Sequence, residues 1–272
     1  MQSLQLLTSH VMHHLILVYL SLQFGMRHYF SPEQLSNGLW RIPFICGVFV
    51  SLSGFYLQHH VKDHRKIESH ELHSDYNNQQ HKPTPLELAL SKENVATLAS
   101  ATAAVFLWSG GFYVLFVWLV ICERDLLEHQ VPNAFGINVS SLCITMVILF
   151  PFAGWLSDRF GRKLIMTMGA SGIAFLSPTA MKMISSGDTT VAFISQSLLG
   201  IFLSLYGSPL CAFLIEHFPP EARLTSVAIG YNTSMAIAGG LSPSLATWLV
   251  RNHGIEGAGY LLSTFALIQV RN

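Results

Sequence analysis

Charge is the first thing this sequence lacks. Of its 272 residues only 11% are Asp, Glu, Lys or Arg, against about 25% in an average soluble domain. A soluble fold of this size would not carry enough surface charge to stay dissolved. The formal net charge is zero and no basic stripe carries interleaved aromatics, which argues against a nucleic-acid partner. Cysteine is sparse too: Cys46, Cys122, Cys143 and Cys211 show no CxxC spacing. They read as small apolar residues packed in helices rather than as disulfide or metal ligands. Also missing are HExxH, GxSxG and paired acidic residues within an apolar run, so a membrane-embedded enzyme finds no support and no cofactor is expected. The first 26 residues hold no Lys or Arg and no convincing small-residue cleavage site, so a signal peptide is not expected.

What is present is hydrophobic, at 51% of the chain. Val95 to Cys122, Asn138 to Ser157, Leu164 to Met181, Val191 to Ile215 and Leu224 to Val250 contain no charged residue at all. Each is of the length needed to cross a hydrocarbon core, which takes about 20 helical residues. Weaker spans are read at Leu4 to Phe24 and Ile42 to Leu57, and a short one at Gly257 to Val270. The expectation is an all-α integral membrane protein with seven or eight transmembrane helices.

Lys and Arg accumulate in cytoplasmic loops, and here they alternate. Residues 59–94 carry Lys62, Arg65, Lys66, Lys82 and Lys92, and the turn after Trp155 carries Arg159, Arg162 and Lys163. Both are expected on the cytoplasmic side of a cell (inner or plasma) membrane, with Arg223 and Arg271. The opposite loops hold Arg27, Arg124, Lys182 and Arg251, one apiece, with Arg41 at the edge of a span. The expected organisation is two transmembrane helices over 1–58, a polar linker over 59–94 with room for one short surface helix, and a transmembrane bundle over 95–272. Within the linker, His60 and His64 are spaced i, i+4 and His70 and His73 i, i+3, with His59 and His81 nearby. A zinc site needs about four ligands and a supporting shell. With no cysteine and no packing pattern, the stretch reads as a solvated, titrating loop, and no metal is expected.

Between two apolar spans lies Gly154-Trp-Leu-Ser-Asp158-Arg159-Phe-Gly161-Arg162-Lys163. Gly154 and Gly161 permit close helix approach and a tight turn, and Asp158 is expected near a helix N-terminus, where negative charge is favoured. Arg159, Arg162 and Lys163 anchor the turn to one face and offer salt-bridge partners. A short basic loop alone would be an ordinary cytoplasmic turn. The whole pattern resembles the GxxxDRxGRR/K signature of the major facilitator superfamily, where this turn acts as a conformational latch and does not contact substrate.

Other stretches narrow the resemblance. Ser31-Pro-Glu-Gln-Leu35 with Leu39-Trp-Arg-Ile-Pro-Phe44 is similar to the lead-in to the sixth helix of the metabolite:proton symporters, which include proline/betaine and di- or tricarboxylate carriers. Gly111-Phe-Tyr-Val-Leu-Phe-Val-Trp118 resembles the seventh helix of that family. Glu216-His-Phe-Pro-Pro-Glu-Ala-Arg223, running on through Gly230-Tyr-Asn232, Gly239-Gly240 and Pro243, resembles its tenth and eleventh. The likeness covers about residues 31–270 in family order. It implies a partial major-facilitator helical bundle that starts at what would be the fifth of twelve helices, in two six-helix halves.

That resemblance implies secondary active transport: proton symport of a small polar metabolite such as proline/betaine or a di/tricarboxylate. The alternative is a non-transporting membrane remnant or structural subunit lacking the first half. Proton coupling in the family rests substantially on first-half side chains, and no charged residue stands in the middle of any span read here. Candidate substrate-lining residues are Tyr113, Trp118, Tyr206, Tyr231 and Asn232. Aromatic faces suit a quaternary ammonium and an amide suits a carboxylate, whereas the plainer reading of each is lipid-facing packing. The breaks at Gly207-Ser-Pro209, Gly239-Gly240 and Pro243 read equally as hinges or as tolerated Pro and Gly. Arg41 and Glu216 are placed at the interface. The expected partners are a small-molecule substrate, a proton and the lipid bilayer, with a separately encoded first half or a second copy of the chain.

Overall fold

The computed structural model describes residues 84–271 almost continuously, all but 93, 219 and 221, together with short pieces between 25 and 45. The span expected at Leu4 to Phe24, most of the next one, Cys46 and the histidines of the linker lie outside the described residues. The chain divides into two units, Met1–Lys82 and Pro83–Asn272. In the first, Ser31 and Gln34 cap each other reciprocally: each backbone N–H donates to the other's side chain, at 3.0 and 3.3 Å. Leu39–Arg41 then forms a single 3-10 turn entered through Gly38 at φ 120°.

The second unit opens with a one-turn helix, α1 (Pro85–Ala89), in the stretch read as a linker. Thr84 and Glu87 make a full capping box there and Pro85 takes the first position, where its missing N–H costs nothing. Six longer helices follow: α2 (Val95–Leu126), α3 (Ala134–Phe160), α4 (Arg162–Ile184) and α5 (Thr189–His217), then α6 (residues 223–253) and α7 (Glu256–Arg271). The first four of these six are long and apolar enough to cross a membrane. At 16 residues, α7 is shorter than the roughly 20 a full crossing takes. No strand occurs among the described residues. This is an all-α membrane protein, as its composition requires.

Three of the helices change register within their length. Tyr113–Trp118 and Cys122–Leu126 of α2, Cys143–Leu149 of α3 and Met235–Gly239 of α6 are π-helical. Such stretches are rare and cluster at functional sites. By contrast, α5 runs unbroken through Gly207-Ser-Pro209, with Pro209 inside it. Of the two sequence breaks in α6, Gly239 closes a π-helical stretch while Pro243 lies within ordinary helix.

Lipid offers no hydrophobic drive between helices, so close packing and hydroxyl hydrogen bonds hold such bundles together. A Cβ on Gly169 of α4 would stand 2.6 Å from the Phe202 carbonyl oxygen and 2.7 Å from the Tyr206 amide nitrogen of α5. Gly259 brings α7 equally close to α4, with its hypothetical Cβ 2.5 Å from Pro178 Cα. Buried hydroxyls cross the α4–α7 seam: Ser177 donates to the Gly259 carbonyl at 2.9 Å, and Ser263 to that of Ala174 at 2.7 Å. Leu107, Leu115, Leu199, Leu203, Leu210 and Leu262 are fully buried. Phe175, Ile148 and Trp248 are exposed, as befits side chains that meet lipid.

Candidate functional site

The signature turn sits where α3 gives way to α4. Gly161 adopts φ 99°, ψ 137°, a backbone conformation that side chains resist, with open space around it. Here glycine is required by the backbone and not by crowding. Gly154, one helical face back, lies against α5: a Cβ there would be 3.0 Å from Ser208 Oγ. Arg162 begins α4 and reaches Glu216, in the last turn of α5, with Nη1 to Oε1 at 2.8 Å. Its other amine is 3.7 Å from Asp158. Asp158 therefore belongs to the last turn of α3 and meets the head of α4 only through Arg162. No side chain caps α4, so Asp158 stands beside the start of that helix through its Arg162 contact and not as a cap. Arg159 lies 5.7 Å from the ring centroids of both Trp155 and Phe160, a geometry for cation–π attraction.

A cavity of about 530 Å³ opens beside this turn, bordered by Ser100, Asp158, Lys163, Tyr206, Glu216 and Gln269 among others. It gathers to one end of the unit the head of α2, the signature turn, the end of α5 and the end of α7. Gln269 closes its wall by donating to the Ala103 carbonyl. Glu216, expected from the sequence at the membrane interface, is also the ionic partner that ties α4 to α5.

Deeper in the unit, the π-helical stretch of α2 is held by two amides. Gln196 of α5 donates through Nε2 to the Leu115 carbonyl and to Asn138 Oδ1, both at 2.8 Å. Asn138 of α3 donates in turn to the Phe116 carbonyl at 3.1 Å. The π register leaves carbonyls in need of partners, and these side chains supply them. Neither residue figured among the sequence candidates. Their signal was an amide placed in or at the end of an otherwise apolar run.

The sequence candidates themselves fall into two groups. Trp118 and Tyr206 are each 2% exposed and serve the packing: Trp118 Nε1 donates to Thr247 Oγ1 at 2.8 Å, and the Tyr206 hydroxyl donates to the Ala104 carbonyl. Tyr113 and Tyr231 are half-buried and Asn232 is exposed, its amide donating to the Ala228 carbonyl at 2.8 Å. Tyr113 packs over Gly239, where a Cβ would meet its ring at 3.0 Å. Tyr231 meets Trp108, whose Nε1 points at its hydroxyl from 3.4 Å. Trp108 was missed because an aromatic in an apolar run carries no pattern that separates site from core.

Glu123 adds a charge-bearing side chain near the end of a span, while the middle of each span read from the sequence stays free of charge. Helix α2 does not stop at Cys122 but continues to Leu126, which draws Glu123 into the protein. It is 0% exposed, and neither carboxyl oxygen has a hydrogen-bond partner among the described residues. Its neighbours Arg124 and Asp125 point outward and pair with each other at 2.8 Å. Buried carboxyls inside membrane helices are costly and mark ion or substrate pathways.

Residues 125–269 match the family model of the Major Facilitator Superfamily. The chain is 27% identical over 244 residues to a putative proline/betaine transporter of Staphylococcus aureus (strain COL), an alignment covering 88% of this chain and 50% of that protein. It is 26% identical over 233 residues to the proline/betaine transporter of Salmonella typhimurium, covering 84% and 46%. With a glycine betaine/proline/ectoine/pipecolic acid transporter of Dickeya dadantii it shares 27% over 236 residues, again 84% and 46%. The chain thus spans about half the length of the curated relatives it matches. No solved structure matches it. With the signature turn seated between α3 and α4 inside the matched region, this chain belongs to the major facilitator superfamily.

Proposed function

We propose that this protein serves secondary active transport: proton symport of a small polar metabolite, of the kind named for its relatives (proline or betaine), or a di- or tricarboxylate. One observation carries the reading. The superfamily's signature turn is present in full, and its Arg162 is locked to Glu216 at the end of α5. A latch of that kind has to open and close for access to alternate across the membrane. Opening the end that carries the turn requires the Arg162–Glu216 and Arg162–Asp158 pairs to part, which makes Gly154, Asp158, Arg159, Gly161, Arg162 and Lys163 a conformational device rather than a substrate site.

The proton needs an intramembrane group to hold it. Glu123 is our candidate, since it is buried, has no hydrogen-bond partner among the described residues and lies on a π-helical turn. The working location is a cell (inner or plasma) membrane, with residues 59–94 and the signature turn on the cytoplasmic side, following the alternation of basic loops. The reading is transport and not catalysis. Uptake of labelled glycine betaine and proline into proteoliposomes carrying this chain, with and without an imposed proton gradient, tests it.

A further inference from the structure

Glu123 stands at the end of the unit opposite the signature turn, where α2 and α4 end and α3 and α5 begin. A carboxyl that carries a proton has to meet water, and this one is buried. Beside it runs the connection between α2 and α3, residues 127–133, which folds back over the end of α2. The Leu127 amide donates to the Cys122 carbonyl at 3.1 Å, and the Val131 amide to the Glu123 carbonyl at 3.0 Å. Val131 turns inward and belongs to the same buried cluster as Leu119 and Cys122. Around it Glu128, His129, Gln130, Pro132 and Asn133 are all exposed. The segment is a strap with one apolar plug and a polar rim.

Its fixings to the rest of the unit are few. On the connection between α4 and α5, Gly187 adopts φ 75°, and a Cβ there would stand 2.9 Å from His129 Cβ and 3.3 Å from its carbonyl oxygen. The exposed Thr189 hydroxyl donates to the Pro132 carbonyl over 3.4 Å, long for such a bond. The seam below is closed far more firmly, by the buried Gln196 and Asn138 amides at 2.8 Å. Segments held by few buried contacts and by exposed hydrogen bonds open most readily. At the far end of the strap Asn133 turns the chain into α3 through a left-handed φ of 58°, an uncommon conformation for a residue other than glycine.

We propose that residues 127–133 form a lid over Glu123, and that lifting the Val131 plug is what admits water and protons to that carboxyl. Opening parts the Val131–Glu123 backbone bond and the contacts to Gly187 and Thr189, and leaves the Gln196–Asn138 seam closed. In the working orientation this end faces outward, the side from which a symported proton enters. The lid's part in transport rests on the proton role proposed for Glu123, whereas the access of water to that carboxyl does not.

Access is read with a water-soluble carbodiimide and an amine nucleophile on the full chain in lipid nanodiscs. Mass spectrometry follows modification of Glu123, with exposed Glu87 as internal standard. His129→Cys with Gly187→Cys, in a background whose native cysteines are replaced by alanine, closes the strap as a disulfide, for which Cβ atoms stand roughly 3.5–4.5 Å apart. Oxidation should slow Glu123 modification about tenfold relative to Glu87, reduction should restore it, and Thr189→Val, lacking one fixing, should speed it about twofold. Equal modification with the strap closed and open overturns the lid. So does a Glu123 that stays unmodified in the reduced protein while Glu87 reacts. Should the cysteine pair fail to fold, Thr189→Val decides alone, and an unchanged Glu123 rate overturns the lid. Full gradient-driven uptake by the disulfide-closed protein, with Glu123 modification slowed, would sink Glu123 as the proton carrier and leave the lid standing. Coupling lost in Glu123→Gln, with Glu123 modification indifferent to the disulfide, would do the reverse.

Discussion

The side-chain amide of Gln196 donates to Asn138 Oδ1 at 2.8 Å, and through this contact α5 and α3 jointly grip α2 where it turns π-helical. Gln196 spans further, to the Leu115 carbonyl, and is itself fully buried. Gln196→Leu would leave the Leu115 carbonyl and Asn138 Oδ1 without their donor in a dry seam. A lost buried partner costs about 1–3 kcal/mol, so the variant should unfold at lower temperature in detergent. Asn138→Leu alone should cost a similar amount. The double variant should cost less than the sum, because the two residues share one network.

Replacing Gly169 tests the close approach of α4 to α5. Gly169→Val would drive a side chain into the Phe202 carbonyl and the Tyr206 backbone of α5, which cannot yield as a flexible side chain would. Overpacking of this kind costs about 1–3 kcal/mol. Thermal unfolding should show the loss, while Gly240→Ala, with open space around it, should stay near wild type.

At the latch, exposure of Glu216 and Asp158 keeps the ion pairs weak in stability terms, on the order of 0–1 kcal/mol. Their effect belongs to conformational balance. Glu216→Gln and Asp158→Asn should each raise the labelling rate of a cysteine placed at Ser100 in the cavity wall, with Glu216→Gln the stronger because its contact is the shorter. The exchange Arg162→Glu with Glu216→Arg should bring the rate back toward wild type. Unchanged labelling in both single variants would remove the latch role.

Glu123→Gln keeps the shape of the side chain and removes its proton chemistry. It should insert and unfold like wild type yet fail to couple uptake to a proton gradient, while exchange of labelled for unlabelled substrate across the membrane persists. Full gradient-driven uptake by this variant would take Glu123 out of the account.

The helices were legible in the sequence because apolar run length alone decides what can cross a bilayer. The runs ending at Ser157, Met181 and Ile215 all lie within single helices of the structure. The end of α2 was not legible, because a charged residue was taken to close the run. Helix α2 instead carries Glu123 inward while Arg124 and Asp125 satisfy each other outside. The signature turn could be read from its ten residues, including the glycine forced by φ 99° at Gly161. Its partner Glu216 could not, since 54 residues separate it from Arg162 and nothing local distinguishes it from an interfacial acid. Trp118 and Trp108 show the same limit: both sit in one apolar run, and only the fold makes the first a packing residue and the second the partner of Tyr231.

The most direct measurement is gradient-driven uptake of labelled glycine betaine, proline and citrate into proteoliposomes holding this chain. The account predicts saturable uptake of glycine betaine, proline or citrate that rises when the outside is made acidic and collapses with a protonophore. Absence of such uptake from correctly inserted protein, both alone and after co-reconstitution with the first half of a relative, would contradict it.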